Sequence, residues 1–140
     1  MISKLGALTG ILFMSAQALA QPTPSTNDVW QHHISAWNQR NVEAIAADYS
    51  DDSVLIINGV TFEGTDAIKT AFVQLFNIFD HGDNRIDPTV INDRIIYITW
   101  HFTPTGTSEF FGSDTFLIER GKIVVQTIAS PLYAVYPVTR

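Results

Sequence analysis

An acidic side chain within an apolar strand is the clearest candidate for chemistry in this 140-residue sequence. The alternate positions around Asp114 are taken by Phe110, Gly112, Phe116 and Ile118, and alternate side chains of a strand share one face. The Asp114 carboxyl is therefore predicted to face the apolar interior. Burial raises the pKa of a carboxyl group, so Asp114 could act as a proton donor or hydrogen-bonding acid near neutral pH. The alternative is an acid at the rim, paired with a helix side chain and holding the fold together.

Four other polar or aromatic residues are predicted to share that interior. His33 lies one helical turn before Trp37, and its imidazole could donate a hydrogen bond or shuttle a proton. Gln126 faces inward by the same alternation and could bind a carbonyl or hydroxyl group, as could Tyr49 and Trp37. Each could instead be an ordinary core residue.

Aromatic residues are predicted to form most of the remaining lining. An apolar interior with few polar groups is the usual composition of a small-molecule site. The predicted lining residues are Phe72, Phe76, Trp100, Phe102 and Phe116.

Several other kinds of chemistry are excluded or disfavoured. The sequence has no cysteine, which excludes disulfides, thiolate nucleophiles and thiolate metal sites. His32 and His33 are expected to point in different directions on a helix, and His81 lies in a predicted loop without ligand spacing, so we predict no metal site. A glycine-rich phosphate loop and a dinucleotide fingerprint are also missing from the sequence, and we predict no cofactor.

The elements that must position these residues begin with three predicted helices. Trp30, Ile34 and Trp37 recur at helical spacing in the first, and Asn41 can cap a shorter second helix. Thr65 is predicted to cap the third. Its apolar stripe, wide enough to lie across a sheet, consists of Ile68, Phe72, Leu75, Phe76 and Phe79.

Strands follow these helices. Residues 54–57 and 60–62 flank Asn58-Gly59, the dipeptide typical of a tight hairpin turn. Further strands are predicted at 87–91, 94–103, 110–119 and 122–131. The order predicts an α+β fold whose twisted antiparallel sheet closes over the third helix.

The N-terminus has the pattern of a secretory signal. Lys4 precedes an apolar run, and Ala18-Leu19-Ala20 supplies small residues for cleavage. We predict a signal peptide at 1–20, a flexible leader at 21–27 and a single domain at 28–140. The protein is then exported, to the periplasm or the outside, and is not held in a membrane after cleavage.

The charge distribution argues against a nucleic-acid partner. The formal net charge is −6, and the basic residues are scattered rather than gathered in a stripe. A different surface favours self-association: Tyr97 and His101 alternate with inward residues on the long strand and make its outer face poorly solvated. We predict a homodimer through this face, the alternative being a monomer with exposed aromatic residues.

Six short blocks of this sequence resemble the nuclear-transport-factor-2-like superfamily, in its SnoaL-like and ketosteroid-isomerase-like branch. They are Ala36-Trp37-Asn38, Asn41-Val42-Glu43-Ala44-Ile45, Tyr49-Ser50-Asp51-Asp52-Ser53-Val54, Phe62-Glu63-Gly64-Thr65-Asp66-Ala67-Ile68, Ser113-Asp114-Thr115-Phe116 and Gly121-Lys122-Ile123-Val124. The resemblance implies a cystatin-like cone, in which a curved antiparallel sheet and three helices surround an apolar pocket. It also implies pairing through the outer sheet face.

The resemblance suggests roles for three residues. Asp114 takes the place of the protonated acid in the isomerase's oxyanion hole, and His33 takes the place of the phenol beside it. Ile57 falls at or near the position of the proton-abstracting carboxylate. Because isoleucine cannot accept a proton, the steroid isomerisation of that branch is not expected.

Three functions remain open at this point. The first is binding of a small, largely apolar molecule in the cone. The second is acid/base isomerisation, dehydration or cyclisation of a carbonyl-containing lipid or polyketide. The third is a dimeric structural or interaction module whose pocket is filled by its own aromatic residues.

Overall fold

Four helices and seven strands make up residues 20–140, the part of the chain that the computed structural model describes. The predicted signal peptide, apart from Ala20, lies outside the described residues. In chain order the elements are α1 (Thr26–Asn38), α2 (Val42–Ala46), β1 (Val54–Ile57), β2 (Val60–Glu63), α3 (Gly64–Phe79), β3 (Gly82–Ile86), β4 (Val90–Asn92), β5 (Ile95–Pro104), β6 (Phe110–Glu119), β7 (Lys122–Ala129) and α4 (Leu132–Val135).

The first helix begins earlier than the sequence suggested. Ser25 and Asp28 form a reciprocal capping box: the Ser25 hydroxyl accepts a hydrogen bond from the Asp28 amide, and the Asp28 carboxylate accepts one from the Ser25 amide. The helix therefore starts at Thr26, and the last two residues of the predicted leader are helical. The predicted cap of α2 is confirmed, since Asn41 Oδ1 accepts a hydrogen bond from the Ala44 amide.

The predicted tight hairpin is confirmed, but the predicted cap of α3 is wrong. Asn58 and Gly59 adopt φ values of 46° and 87°, as a two-residue turn between β1 and β2 requires. Helix α3 begins at Gly64, and its N-cap residue Glu63 makes no side-chain cap. Thr65 is already inside the helix, where its hydroxyl donates to Asp51 Oδ1 over 2.8 Å.

The sheet has the strand order β2-β1-β7-β6-β5-β3, with β4 also paired to β5. Neighbouring strands are antiparallel except β1 and β7, which run parallel with Leu55 opposite Gln126. The predicted strand at 87–91 is only partly correct: Val90 and Ile91 belong to β4, but Pro88 lies in a break between β3 and β4, which pair with different ends of β5. Proline cannot donate a ladder hydrogen bond, which accounts for the break.

The curved sheet and α3 enclose one core. Helix α3 contacts β1 and β2 at one end of the strand order and β3 at the other, while β2 and β3 remain unpaired with each other, so the sheet is not closed into a barrel. A bulge in the β6–β7 pairing lies between Leu117 and Ile118. Bulges increase local twist and bend a strand. The predicted α+β cone is confirmed, with one parallel strand pair and a fourth, single-turn helix in addition.

Alternation along β5 and β6 places the candidate residues as predicted. Trp100 and Phe102 on β5 are buried, as are Asp114 and Phe116 on β6, whereas Tyr97 is exposed on the opposite face. None of the helices in residues 20–140 has the length and apolar character needed to cross a bilayer.

Candidate functional site

A partly enclosed cavity of about 40 Å³ lies between the concave face of the sheet, α1 and α3. That volume holds a few water molecules at most and is far below the several hundred Å³ typical of pockets for larger ligands. The wall is mainly apolar, and its polar or titratable side chains include His33, Asn84, Asp114, Gln126 and Tyr133. Two larger depressions, of about 330 and about 460 Å³, lie on the surface and contain none of the buried polar side chains.

Asp114 is buried in this wall, as the alternation predicted, with 7% of its surface exposed. Oδ1 accepts a hydrogen bond from Trp100 Nε1 over 2.8 Å, and Oδ2 accepts one from Gln126 Nε2 over 2.9 Å. Burial raises the pKa of Asp114 to about 6, while the two hydrogen bonds act in the opposite direction. Near neutral pH this carboxyl group can therefore act as a hydrogen-bond acceptor or, when protonated, as a donor to a bound group.

The Trp100 indole reaches Asp114 because Gly112 leaves space for it. A Cβ atom built on Gly112 would lie 2.1 Å from Trp100 Cζ2, so the indole packs directly against the Gly112 backbone. Trp100 and Gly112 are cross-strand partners in the β5–β6 ladder, and Asp114 is the next inward residue on β6. The glycine thus determines where the indole N–H points.

A second chain of hydrogen bonds leads from Asp114 into the core. The Tyr49 hydroxyl donates to Gln126 Oε1, and Gln126 in turn donates to Asp114. Burial, with a further contribution from Asp48 and Asp114, raises the pKa of Tyr49 well above its usual value, so the phenol stays protonated. Gln126 is thereby held with its amide N–H group toward the carboxylate.

His33 lies in the same cavity wall, and its partner was not foreseen. His33 Nδ1 is 3.1 Å from Asp48 Oδ2, and His32 Nδ1 is 2.6 Å from Asp48 Oδ1. The expectation that the two histidines point in different directions is wrong, because both rings turn toward this one carboxylate. Asp48 is itself buried at the end of α2, where its carbonyl accepts a hydrogen bond from the Ile123 amide.

Six of the predicted site residues meet at the cavity, and four do not. Those that line it are His33, Trp37, Trp100, Asp114, Phe116 and Gln126. Those that are buried but do not line it are Tyr49, Phe72, Phe76 and Phe102. They face inward as predicted but lie behind other rings; Phe102, for example, packs behind Phe79 with ring centroids 4.4 Å apart. Facing the interior is therefore not the same as contacting the cavity.

Sequence reasoning missed three polar residues at or beside the site. Asn84 lies outside every predicted strand, and Gly82, Asp83 and Asn84 have low strand propensity, yet Asn84 pairs opposite Phe102 on β3. Its Oδ1 atom is buried without a hydrogen-bond partner in the described residues. Tyr133 lies beyond the last predicted strand; burial, with Asp114 contributing, raises its pKa well above the usual value. The third missed residue is Asp48. Its contact with His33 joins residues far apart in the chain, so no short-range pattern in the sequence predicts it.

No three His, Asp or Glu side chains in residues 20–140 converge so as to hold a metal ion. His81 contacts the Asn77 carbonyl oxygen through Nδ1 instead. The polar groups of the cavity are amide, carboxyl, imidazole and phenol groups, a set suited to hydrogen bonding and proton transfer.

Comparison with known proteins identifies similar sequences and folds. Residues 30–126 match the SnoaL-like domain family. No curated protein matches the sequence. A NTF2-like protein from Burkholderia thailandensis superposes with a TM-score of 0.69 at 15% identity, over 84% of this chain and 98% of that one.

Two other solved structures have the same fold. A NTF2-like protein of unknown function from Cytophaga hutchinsonii gives a TM-score of 0.66 at 12% identity, over 84% of this chain and 99% of that one. A protein from Jannaschia sp. assigned as a SnoaL-like polyketide cyclase gives 0.65 at 11% identity, over 86% and 96%. At these identities the likeness shows the fold alone.

Asp114→Asn should stabilise the protein increasingly as pH rises. The folded-state pKa of about 6 exceeds the ordinary value of 3.8, so the stability that depends on the neutral acid is complete below about pH 3.8 and is lost as pH rises through 6. Asparagine stays neutral and still offers Trp100 an acceptor. Urea unfolding should show the variant gaining up to about 3 kcal/mol over the wild type between about pH 4 and pH 7.

Asp83→Asn, at an exposed position on β3, is the matched control and should show no such trend. If the difference in free energy of unfolding between Asp114→Asn and the wild type stays constant with pH, ionisation of Asp114 does not destabilise the folded protein.

Gly112→Ala should displace the Trp100 indole and weaken its hydrogen bond to Asp114. Overfilling a packed site of this kind costs about 1–3 kcal/mol. We expect a lower free energy of unfolding together with an upfield shift of the Trp100 indole N–H resonance. Ser113→Ala, one residue along β6, should leave that resonance in place; an unchanged resonance in Gly112→Ala would show that the indole is not positioned by the glycine.

Proposed function

Because the chain belongs to the SnoaL-like domain family, and so to the nuclear-transport-factor-2-like superfamily, we propose that its cone binds a small, largely apolar molecule carrying one polar group. The polar group contacts Asp114, with Gln126 and His33 beside it. The protein carries out this role after export, to the periplasm or the outside.

One observation carries this proposal: a carboxyl group is buried in an apolar wall without a cation. No Lys, Arg or His of residues 20–140 forms an ion pair with Asp114; its hydrogen-bond donors are the neutral Trp100 and Gln126 side chains. Burying an acid in this way costs stability, and an apolar residue would pack there at less cost. Strongly shifted groups in cavities are concentrated at functional sites.

The small volume limits what can bind. About 40 Å³ admits only a few atoms, so a larger molecule enters when an aromatic side chain moves. Trp37 is the half-buried candidate: it packs against Phe76 and Phe79 with centroids 5.2 and 5.1 Å away, and the Arg40 guanidinium lies 4.8 Å over its ring. Rotation of Trp37 away from these contacts would widen the cavity.

Acid/base catalysis is a second candidate function of the same site. The observation in its favour is that an acid with a pKa of about 6 and an imidazole line one cavity, a pairing that suits proton transfer to and from a carbonyl compound. The substrate class is a carbonyl-containing lipid or polyketide, a larger molecule that requires the widened cavity. Activity that disappears in Asp114→Asn while ligand binding persists would distinguish catalysis from binding alone.

Self-association through the outer sheet face is a separate proposal. Val90, Ile95, Tyr97 and Phe111 form what we call the outer patch, with Tyr97 42% and Phe111 53% exposed. Val90 and Tyr97 are cross-strand partners, and Ile95 lies two residues from Tyr97 on the same face of β5. Phe111 lies further along the sheet, opposite His101. Exposed apolar groups of this kind mark interaction surfaces, and a second copy of the chain is the proposed partner. If the cavity binds no ligand, the remaining candidate function is a structural or interaction module that acts through the outer patch.

The ligand proposal is tested with phenol and toluene, which have nearly the same size and differ in one hydroxyl group. Phenol at about ten times its Kd should stabilise the protein by about 1.4 kcal/mol, or about 5 °C in Tm for a domain of this size. Toluene lacks the group that contacts Asp114 and should raise Tm less. The difference should disappear in Asp114→Leu and persist in Asp83→Leu.

Trp37→Ala enlarges the cavity and should increase the Tm shift for both compounds. Equal shifts for phenol and toluene in the wild type would remove the assigned role of Asp114. The absence of any shift, even in Trp37→Ala, would remove the ligand site altogether.

The dimer proposal predicts that Tyr97→Glu, which places a charge in the outer patch, lowers the association constant at least tenfold by desolvation of that charge. Sedimentation equilibrium over a concentration series measures the effect. Val73→Glu is the matched control, because Val73 is 56% exposed on α3 and away from the patch. A wild-type protein that sediments as a monomer throughout would contradict the proposal.

A further inference from the structure

The hydrogen bonding of His33 distinguishes its two ring nitrogens. Asp48 accepts from His33 Nδ1 through one carboxylate oxygen and from His32 Nδ1 through the other. A carboxylate can only accept hydrogen bonds, so each imidazole must donate to it through Nδ1. The described residues offer Asp48 no Lys or Arg partner. A neutral imidazole carries one hydrogen, and the nitrogen that donates leaves the other as an acceptor.

The second nitrogen of His33 reaches the cavity. His33 is 4% exposed and lines the cavity wall, and its Nε2 atom has no hydrogen-bond partner in residues 20–140. Among the side-chain nitrogen and oxygen atoms of residues 20–140, only Asn84 Oδ1 is both fully buried and without a hydrogen-bond partner. His33 Nε2, which also lacks a partner, must therefore reach accessible space, and the cavity is the space that its ring lines.

The surrounding rings leave His33 little freedom to turn over. Its ring packs edge-on against Tyr49, Phe72 and Phe116, with centroids 5.9, 5.9 and 5.3 Å away, and stacks beside Trp30 at 6.4 Å. Phe116 is the next inward residue after Asp114 on β6, which brings the imidazole and the carboxyl to one part of the cavity. The polar environment of His33 thus consists of Asp48 on one side and the cavity on the other.

His32 completes the arrangement from the solvent side. Its side chain is 52% exposed, whereas that of Asp48 is 7% exposed. By donating to the second oxygen, His32 satisfies a buried carboxylate that would otherwise depend on His33 alone. A solvent-accessible ring, a buried carboxylate and a cavity-lining ring are thereby connected in sequence.

We propose that Asp48 is a positioning residue that fixes His33 with its hydrogen on Nδ1 and presents the Nε2 lone pair to the cavity. The Nε2 atom then accepts the hydrogen of the ligand's hydroxyl group, and the oxygen of that hydroxyl accepts a hydrogen bond from Asp114 when this acid is protonated. The class of ligand is therefore a small apolar molecule with a hydrogen-bond donor, an alcohol or phenol rather than an ether or hydrocarbon. This inference deepens the proposed ligand site and rests on it for the identity of the ligand, but not for the state of the ring.

The state of the ring is measured on the ligand-free protein by long-range ¹H–¹⁵N NMR of histidine-labelled samples at a pH of about 9, where histidines are neutral. The wild type should show His33 with a hydrogen-bearing Nδ1 and an unprotonated Nε2. His32→Gln should keep this state, because the Asp48 contact remains. Asp48→Leu removes the acceptor and should release His33 into a mixture of tautomers. The control variant is Asp52→Leu, at a nearby exposed position, and it should leave the His33 ring unchanged.

Hydrogen on Nε2 in the wild type, or an unchanged ring in a folded Asp48→Leu, would overturn the assignment to Asp48. A second experiment, with phenol and toluene, distinguishes this inference from the proposed function. Saturating phenol should shift the His33 Nε2 resonance and toluene should not. Phenol that raises Tm without moving Nε2 would overturn the inference and leave the ligand site intact, whereas no binding of phenol would remove the ligand site while the ring measurement still decides the role of Asp48.

Discussion

The burial of one uncompensated carboxyl group constrains most of the interior around it. Among residues 20–140 no cation offsets the loss of water at Asp114, so its two oxygens depend on the Trp100 and Gln126 side chains. Each donor is itself positioned by another residue, Trp100 by the missing side chain of Gly112 and Gln126 by the Tyr49 hydroxyl. A buried polar network is stable only when its members are satisfied together, so these residues function as a unit rather than as separate contacts.

The cavity has two polar sides with different chemistry. On the sheet side, neutral donors surround a carboxyl group whose pKa lies near 6. On the helix side, the carboxylate of Asp48 is surrounded by two imidazole rings, and one of these rings lines the cavity. Environments that treat two titratable groups differently are a feature of sites that bind polar groups or move protons. Between the two sides the cavity wall is mainly apolar.

Much of the fold and part of the site were predictable from the sequence. Alternation placed Trp100, Asp114 and Gln126 on the inner face correctly, because the side chains of a strand point alternately to its two faces. The superfamily resemblance is confirmed by the family match. Neither the alternation of a strand nor the spacing of a helix shows which inward residue contacts the cavity. Phe102 and Tyr49 were therefore assigned to the lining, although they are buried behind it. Asp48 and His33 are fifteen residues apart, and a contact of that kind depends on how two helices pack. Strand β3 was missed because pairing to β5 overrides the weak strand propensity of its residues.

The parallel pairing of β1 with β7 has a consequence for how the molecule is made. Leu55 lies opposite Gln126, so a strand from the first half of the chain completes its ladder only with the last one. The long chain segment between β1 and β7 must fold back before the hydrogen bonds between these strands can form. This entropic cost slows folding relative to helical proteins of similar size. Tyr49 and Gln126 meet across the same gap, so the polar network cannot assemble on the ribosome until nearly the whole polypeptide has emerged. A nascent chain that still lacks its last strand is therefore without the Tyr49–Gln126–Asp114 network.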